Sequence, residues 1–246
     1  MMNIKVVISI FLSIFLFIGK GYSENRYFRH YNNKHGLSHN TVYASLQDNR
    51  GFMWFGTEDG LNRFDSHTFK VYRYNSLTGN CIPNDFIISL FEDSEDRIWI
   101  CTNRGVCYYD YRTETFHPFR LNPEQEQIDY FRYVKEDAWK NLWFISYERI
   151  VRYNLTDKSY KIYPGNDNFR ASSITITEEG NPLFSDGYVI YEYNRQADAF
   201  SQTAILTQSE ISAQTHIDVI CQVPEAGSNS IITAPKRQKL LFRIPR

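Results

Sequence analysis

One segment recurs along this chain at nearly constant spacing, and no other feature restricts its fold so tightly. The first copy opens at Asp48, passes Gly51, Trp54, Gly56 and Gly60, and closes at Asp65. The second runs from Asp93 through Trp99 to Asp110, the third from Asp137 through Trp143 to Asn154. Each tryptophan stands six residues after the opening aspartate and eleven before the closing residue, and successive tryptophans are 45 and then 44 residues apart. A weaker fourth copy stays in phase, with Leu183 at the tryptophan position and Asn194 eleven residues on. Ile231, 48 residues after Leu183, marks a fifth. Short alternating segments repeated with a period in the forties are the mark of a β-propeller. The chain is therefore expected to be all-β, with about four complete four-stranded blades and a partial fifth.

One repeat shows how a blade is written. Residues 41–47 alternate around Val42, Ala44 and Leu46, as an innermost strand does. Asp48 and Gly51 bound a turn, because Asp bonds its own downstream backbone and Gly accepts positive φ. A second strand, 52–57, is centred on Trp54. Glu58, Asp59 and Gly60 carry an Asp-Gly hairpin signal before a third strand at 61–64. After another turn, 69–74 forms the outer strand. The same elements fall at 86–91, 97–102, 105–109 and 115–120, then at 130–135, 142–146, 150–153 and 159–163. The fourth set is 172–177, 182–185, 189–193 and 199–202. The fifth is traced through 217–223, 231–234 and 240–244. Blades are expected at about 37–80, 82–125, 128–168 and 170–204, with a partial one at 211–246.

Residues 1–23 are a different object. Lys5 precedes a nearly continuous apolar run at 6–18, and Gly21 and Ser23 supply small residues before a cleavage point. That is the layout of a secretory signal peptide, short for a membrane span, with an uncleaved anchor as the alternative. The mature chain, 24–246, is expected to begin near Glu24 and to lie in an exported compartment, with no membrane contact once the signal is removed. Charge is balanced, 27 basic residues against 28 acidic, so no electrostatic footprint for nucleic acid exists. The 18 Tyr, 18 Phe and 4 Trp suit half-buried sheet faces. Of four cysteines, Cys101 and Cys107 flank a hairpin turn; buried thiols are the expectation there, and a cross-strand bridge the alternative. No cysteine pair has metal-ligand spacing. An array that stops within its fifth blade leaves sheet edges unpaired, so the sequence reads as a piece of a longer protein or a disrupted frame.

Gly36, Leu37, Ser38, His39 and Asn40, followed by the Asp48–Gly51–Trp54–Gly56–Gly60–Arg63–Asp65 pattern, resemble the two-component regulator propeller repeat. The second copy holds Asn84, Trp99, Thr102, Gly105 and Asp110 in the corresponding places; the third lacks both hairpin glycines and the fourth lacks the tryptophan. The resemblance implies the periplasmic sensor region of Bacteroidetes-type hybrid two-component systems, built as seven-bladed propellers ahead of a membrane helix and a histidine kinase. It implies an oligosaccharide signal from a glycan and control of polysaccharide-utilisation genes. These 246 residues contain no kinase motif, so no enzyme activity is expected of them. The missing part of a propeller, or a second copy, is the possible protein partner.

Recurrence decides how individual residues are read. Trp54, Trp99 and Trp143 repeat in mid-strand and are expected in the core. Asp48, Asp93 and Asp137 repeat at one turn and are expected to bond local backbone rather than to catalyse. Trp139 lies off register, in a turn. Loops joining second to third strands share a face with the links between blades, and propellers generally bind ligands there. The candidate binding residues are Glu58, Asp59, Asn103, Arg104, Tyr147, Glu148, Asn40 and Asn84, with His39, Asp85, Tyr130, Ser185 and Asp186 on the same rim. Amides, carboxylates and arginine bond sugar hydroxyls over an aromatic floor, and this set supplies those types. His35 and His39 flank a glycine with no helix to align them, so no metal is expected, and no cofactor. A glycosidase or lyase would need converging acid and base groups in the innermost strands, and none breaks the pattern there. It stands as the alternative function, beside a protein-interaction scaffold.

Overall fold

The computed structural model describes residues 29–77, 79–122, 124, 129–164, 171–187, 189–205, 220–225 and 228–233. All the strands belong to one unit, Tyr31–Arg246. A short 3-10 turn, Asn33–His35, precedes β1 (Val42–Gln47), β2 (Met53–Thr57), β3 (Gly60–Phe64) and β4 (Phe69–Tyr72). The second blade comprises β5 (Ile87–Glu92), β6 (Ile98–Thr102), β7 (Gly105–Asp110) and β8 (Thr115–Phe119). The third has β9 (Tyr133–Glu136), β10 (Asn141–Ile145), β11 (Arg149–Asn154) and β12 (Tyr160–Pro164). The fourth has β13 (Ser173–Ile176), β14 (Pro182–Ser185), β15 (Val189–Asn194) and β16 (Ala199–Ile205), and β17 (Ile220–Glu225) with β18 (Ser228–Thr233) form a hairpin after it.

Each group of four is an antiparallel sheet in chain order. Successive innermost strands lie side by side, β1 by β5, β5 by β9, β9 by β13 and β13 by β17. That is the fan of a propeller, as expected from the repeat. The fifth repeat appears as the hairpin alone; residues 240–244, and the signal segment 1–23, lie outside the described residues.

The core is divided among the gaps between blades. Along β6, Ile98 and Ile100 join a cluster with Trp54 and Leu61 of the first blade, while Trp99 and Cys101 join Leu142 and Phe144 of the third. Strand side chains alternate between faces, so each inner strand serves two cores. Trp143 repeats the arrangement with Phe184 and Tyr193 of the fourth blade. All three tryptophans are buried as expected, and losing one costs about 3–5 kcal/mol.

Alternation also settles the cysteines. Cys101 pairs with Val106, and Cys107 pairs with Ile100. Being one register step apart, the two thiols face different cores, so both are free. Burial pushes the Cys101 thiol up to about 12 and Cys107 well above its ordinary value.

The six-residue Asp-to-Trp interval has a structural cause. Asp48 Oδ1 accepts from the backbone N–H of Arg50 and Phe52, at 3.0 and 2.8 Å, and Oδ2 accepts from Trp54 Nε1 at 2.6 Å. Asp93 does the same for Glu95, Arg97 and Trp99. Asp137 serves Trp139, Asn141 and Trp143. One buried carboxylate closes the turn and pairs the indole. In the fourth blade both partners are replaced together: Thr177 Oγ1 accepts only Asn181 N–H, and Leu183 has no donor to offer.

The same turn requires a left-handed residue, and three residue types supply it: Gly51 at φ 87°, Asp96 at 59°, Lys140 at 63° and Gly180 at 88°. A Cβ on Gly51 would meet nothing within 4 Å. Gly51→Ala is therefore expected to cost about 1 kcal/mol from backbone strain alone, read as a lower urea midpoint with an unchanged m-value.

Candidate functional site

The turns joining second to third strands of each blade and the links between blades occupy one end of the sheets, and the Asp48-type turns the other. Each second-to-third-strand turn is anchored by a hydroxyl at the end of its second strand. Thr57 Oγ1 donates to Gly60 C=O at 2.9 Å and accepts from Asp59 N–H at 3.1 Å. Thr102 does this for Gly105 and Arg104, and Ser146 for Arg149 and Glu148. Ser185 is the fourth member of the series, fully buried, and accepts from Gly187 N–H at 2.9 Å. Ser185 is thus a brace under the rim rather than a rim residue, a correction the hydroxyl's recurrence makes clear. Asp186 stands above it, half-buried, accepting from Val189 N–H at 2.8 Å.

The first two blades bring one group of candidates together. His39 Nε2 lies 3.1 Å from Glu58 Oε1, and Tyr43 OH donates to Glu58 Oε2 at 3.3 Å. Arg73 Nη2 holds Asp59 Oδ2 at 2.9 Å. Gly60 N–H donates to Asp85 C=O at 2.8 Å, and Tyr74 N–H to Asp85 Oδ1 at 2.7 Å, which ties the turn to the link. Asn84 Oδ1 accepts from Phe86 N–H, and Asn103 N–H donates to Phe86 C=O. Asn40 Oδ1 accepts from Asn33 N–H at 2.9 Å. The side chains of Asn103 and Arg104 are exposed beside this group.

Tyr147, Glu148 and Tyr130 belong to the third blade. Tyr147, half-exposed, lies under the Arg132 guanidinium at 4.4 Å from the ring centre. Arg149 Nη2 pairs with Asp129 Oδ1 at 2.7 Å. Tyr130 is exposed at the edge, and β9 begins only at Tyr133, three residues later than the alternation suggested. No described contact joins these residues to the Glu58 group. The candidates therefore form two clusters on one face rather than a single ring.

Sequence reasoning missed an exposed aromatic at the centre of the first cluster. Tyr43 is the extra residue where β1 slips register between Val42 and Ala44, and it is 48 % exposed. Bulges re-aim side chains in this way. Its ring packs on Phe86 at 4.7 Å with a 36° tilt. Burial, then the Glu58 charge and hydrogen bond, raises the Tyr43 phenol pKa. The signal was present: Val42, Ala44 and Leu46 form the apolar alternation, and Tyr43 falls outside it. Trp139 is half-buried beneath Arg195 at 4.6 Å, at the opposite end. Among the described residues no group of three His, Cys, Asp or Glu is arranged to hold a metal, and no helix is long and apolar enough to cross a membrane.

Comparison with known proteins agrees with this architecture. The two component regulator propeller model matches residues 36–59 and 81–104, which contain the β2–β3 and β6–β7 turns. "Histidine kinase P4" of Formosa agariphila is 33 % identical over 215 residues, covering 81 % of this chain and 15 % of that protein. The chain thus spans under one sixth of that relative's length. Among solved structures, an extracellular domain assigned to a hybrid two component system of B. thetaiotaomicron aligns with TM-score 0.53 at 22 % identity, over 73 % of this chain and 32 % of that one. A second such domain from that organism gives 0.57 at 19 %, over 70 % and 23 %. Virginiamycin B lyase from Staphylococcus aureus shares the fold at 0.52 and 15 %, over 68 % and 57 %. With sheets, interblade cores and matched motifs in agreement, the chain is a β-propeller that carries two-component regulator propeller repeats at residues 36–59 and 81–104.

Proposed function

We propose that this propeller is the ligand-sensing part of an exported two-component signalling protein, and that its ligand is an oligosaccharide released from a glycan. Binding would control polysaccharide-utilisation genes through a kinase carried elsewhere in the full protein. The observation that carries the reading is the Tyr43–Phe86 pair beside His39, Glu58 and Asp59. A tilted aromatic floor next to carboxylates and an imidazole suits stacking of a sugar ring with hydrogen bonds to its hydroxyls. The chemistry here is recognition: Glu58 is shared between His39 and Tyr43, and Asp59 is paired with Arg73, so both carboxylates are held as acceptors. Periplasmic placement rests on the 1–23 segment and is checked by sequencing the mature N-terminus, expected near Glu24.

Calorimetric titration with a panel of neutral oligosaccharides tests the reading, with the same samples analysed for product. One panel member should bind, and Tyr43→Ala should weaken it about tenfold, the worth of one stacked ring. Product in the samples would replace sensing with glycosidase or lyase activity. Silence across the panel would instead point to a protein partner, either the remainder of a propeller or a second copy.

A further inference from the structure

A concavity lies between the second and third blades, lined from Arg97 and Lys158 at the Asp93-turn end to Phe119, which pairs with Val106 near the other end. It has a volume of about 440 Å³, and its walls include Trp99, Phe119 and Tyr153. The exposed Arg120 and Lys158 and the buried Arg97 also line it. Comparison of equivalent positions in the three gaps explains why it is open. Between the first and second blades the residue after the closing aspartate is Tyr111. Its ring packs against Tyr109 at 5.1 Å and its hydroxyl reaches Asp48. One gap on, that position is Leu155, so the ring that fills the first gap has no counterpart in the second.

Charge changes at the same gap. The left-handed residue of the turn joining third and fourth strands is Glu114 in the second blade, Lys158 in the third and Asp198 in the fourth. Glu114 acts electrostatically on Tyr72 and Tyr109 of the first gap. Asp198 is the acid of the third gap, where Arg152, Lys161, Tyr163 and Tyr193 all converge on it. At that position the middle gap has a cation, with the exposed Asp157 carboxylate next to it in the chain acting on Tyr153. Arg97 is already neutralised by Asp93 and Glu95. Lys158 spends one donor on Leu155 C=O at 2.6 Å, and its ammonium carries two more. The middle gap therefore combines an aromatic wall, room for a small ring and a cation where each flanking gap places its own carboxylate.

We infer that this groove is a second ligand site, distinct from the Glu58 face, which takes the acidic ring of a uronic-acid-containing sugar. The carboxylate would take the place of the flanking gaps' acid against Lys158, and the ring would lie on Phe119 and Tyr153. Volume and mixed lining suit a mono- or disaccharide.

Titration of the full chain with digalacturonate, and with galactobiose as the neutral counterpart, tests this. Digalacturonate should bind, more weakly as salt is raised, and galactobiose should not compete for the groove. Two substitutions copy the neighbouring gaps: Leu155→Tyr fills the space and Lys158→Glu restores the acid. Each should weaken digalacturonate at least about tenfold. If Leu155→Tyr fails to fold, Lys158→Glu, on an exposed side chain, still decides the matter. Tyr43→Ala should leave the affinity unchanged. The inference is overturned if digalacturonate does not bind, if galactobiose competes equally, or if Lys158→Glu binds as the wild type does. Loss of digalacturonate binding in Tyr43→Ala would move the acidic sugar to the Glu58 face and equally overturn it.

Discussion

Asp93→Ala should destabilise the chain by about 3–5 kcal/mol, among the largest effects of any single substitution. The Asp93 side chain is fully shielded and serves four donors: two backbone N–H groups, Trp99 Nε1 at 2.7 Å and Arg97 Nε at 2.7 Å. Alanine would leave a buried guanidinium with only the half-exposed Glu95 carboxylate as partner and a buried indole without an acceptor. Breaking a buried pair by removing one member is costly because the surviving charge stays desolvated. Asp93→Asn keeps an acceptor oxygen for the turn N–H groups but puts an amide nitrogen where Oδ2 accepted from the indole and the guanidinium, so most of the loss should remain. Thr177→Ala is the internal control, since that residue accepts one bond and holds no indole; about 1 kcal/mol is expected. Urea unfolding followed by tryptophan fluorescence reads all three. A loss at Asp93 no greater than at Thr177 would show that the carboxylate–indole bond contributes little.

The reach of sequence reasoning follows from these contacts. Blades were legible because a buried indole and its carboxylate must recur at a fixed interval, and the interval is visible without coordinates. That one carboxylate serves both turn and indole was not, although the joint absence of Asp and Trp in the fourth repeat hints at it. Turn residues such as Glu58, Arg104 and Tyr147 were placed on one face by topology alone. Their grouping was hidden, because Glu58 meets His39 and Tyr43 across 19 and 15 positions with no periodic signature. Ser185 was misread for the opposite reason: it recurs with Thr57, Thr102 and Ser146, and recurrence marks structure here. Tyr43 escaped because a bulge interrupts the alternation from which strands are read. Gaps between blades were least legible, since their filling depends on pairs such as Tyr111 and Asp48, 63 positions apart.

Such a pair sets the second large prediction. A Cβ on Gly56 would lie 2.5 Å from Ile87 Cγ2 and 2.9 Å from Ile87 Cβ, closer than packed carbons approach. Gly56→Ala should therefore cost about 1–3 kcal/mol through overpacking, although Gly56 sits in a strand, where alanine is otherwise the better residue. Ile87→Ala should cost about 2–5 kcal/mol through the cavity it leaves. The chain already contains the reciprocal solution. Two gaps on, the Gly56 position is Ile145 and the Ile87 position is Ala171, both buried in one cluster. Large and small have exchanged sides while the gap stays filled. Gly56→Val combined with Ile87→Ala should thus be less damaging than the sum of the two single changes by more than about 1 kcal/mol. A double-mutant cycle in urea measures that coupling directly. Strict additivity would mean that the first gap relaxes around either change alone, so that blade spacing, rather than the paired side chains, absorbs the difference in volume.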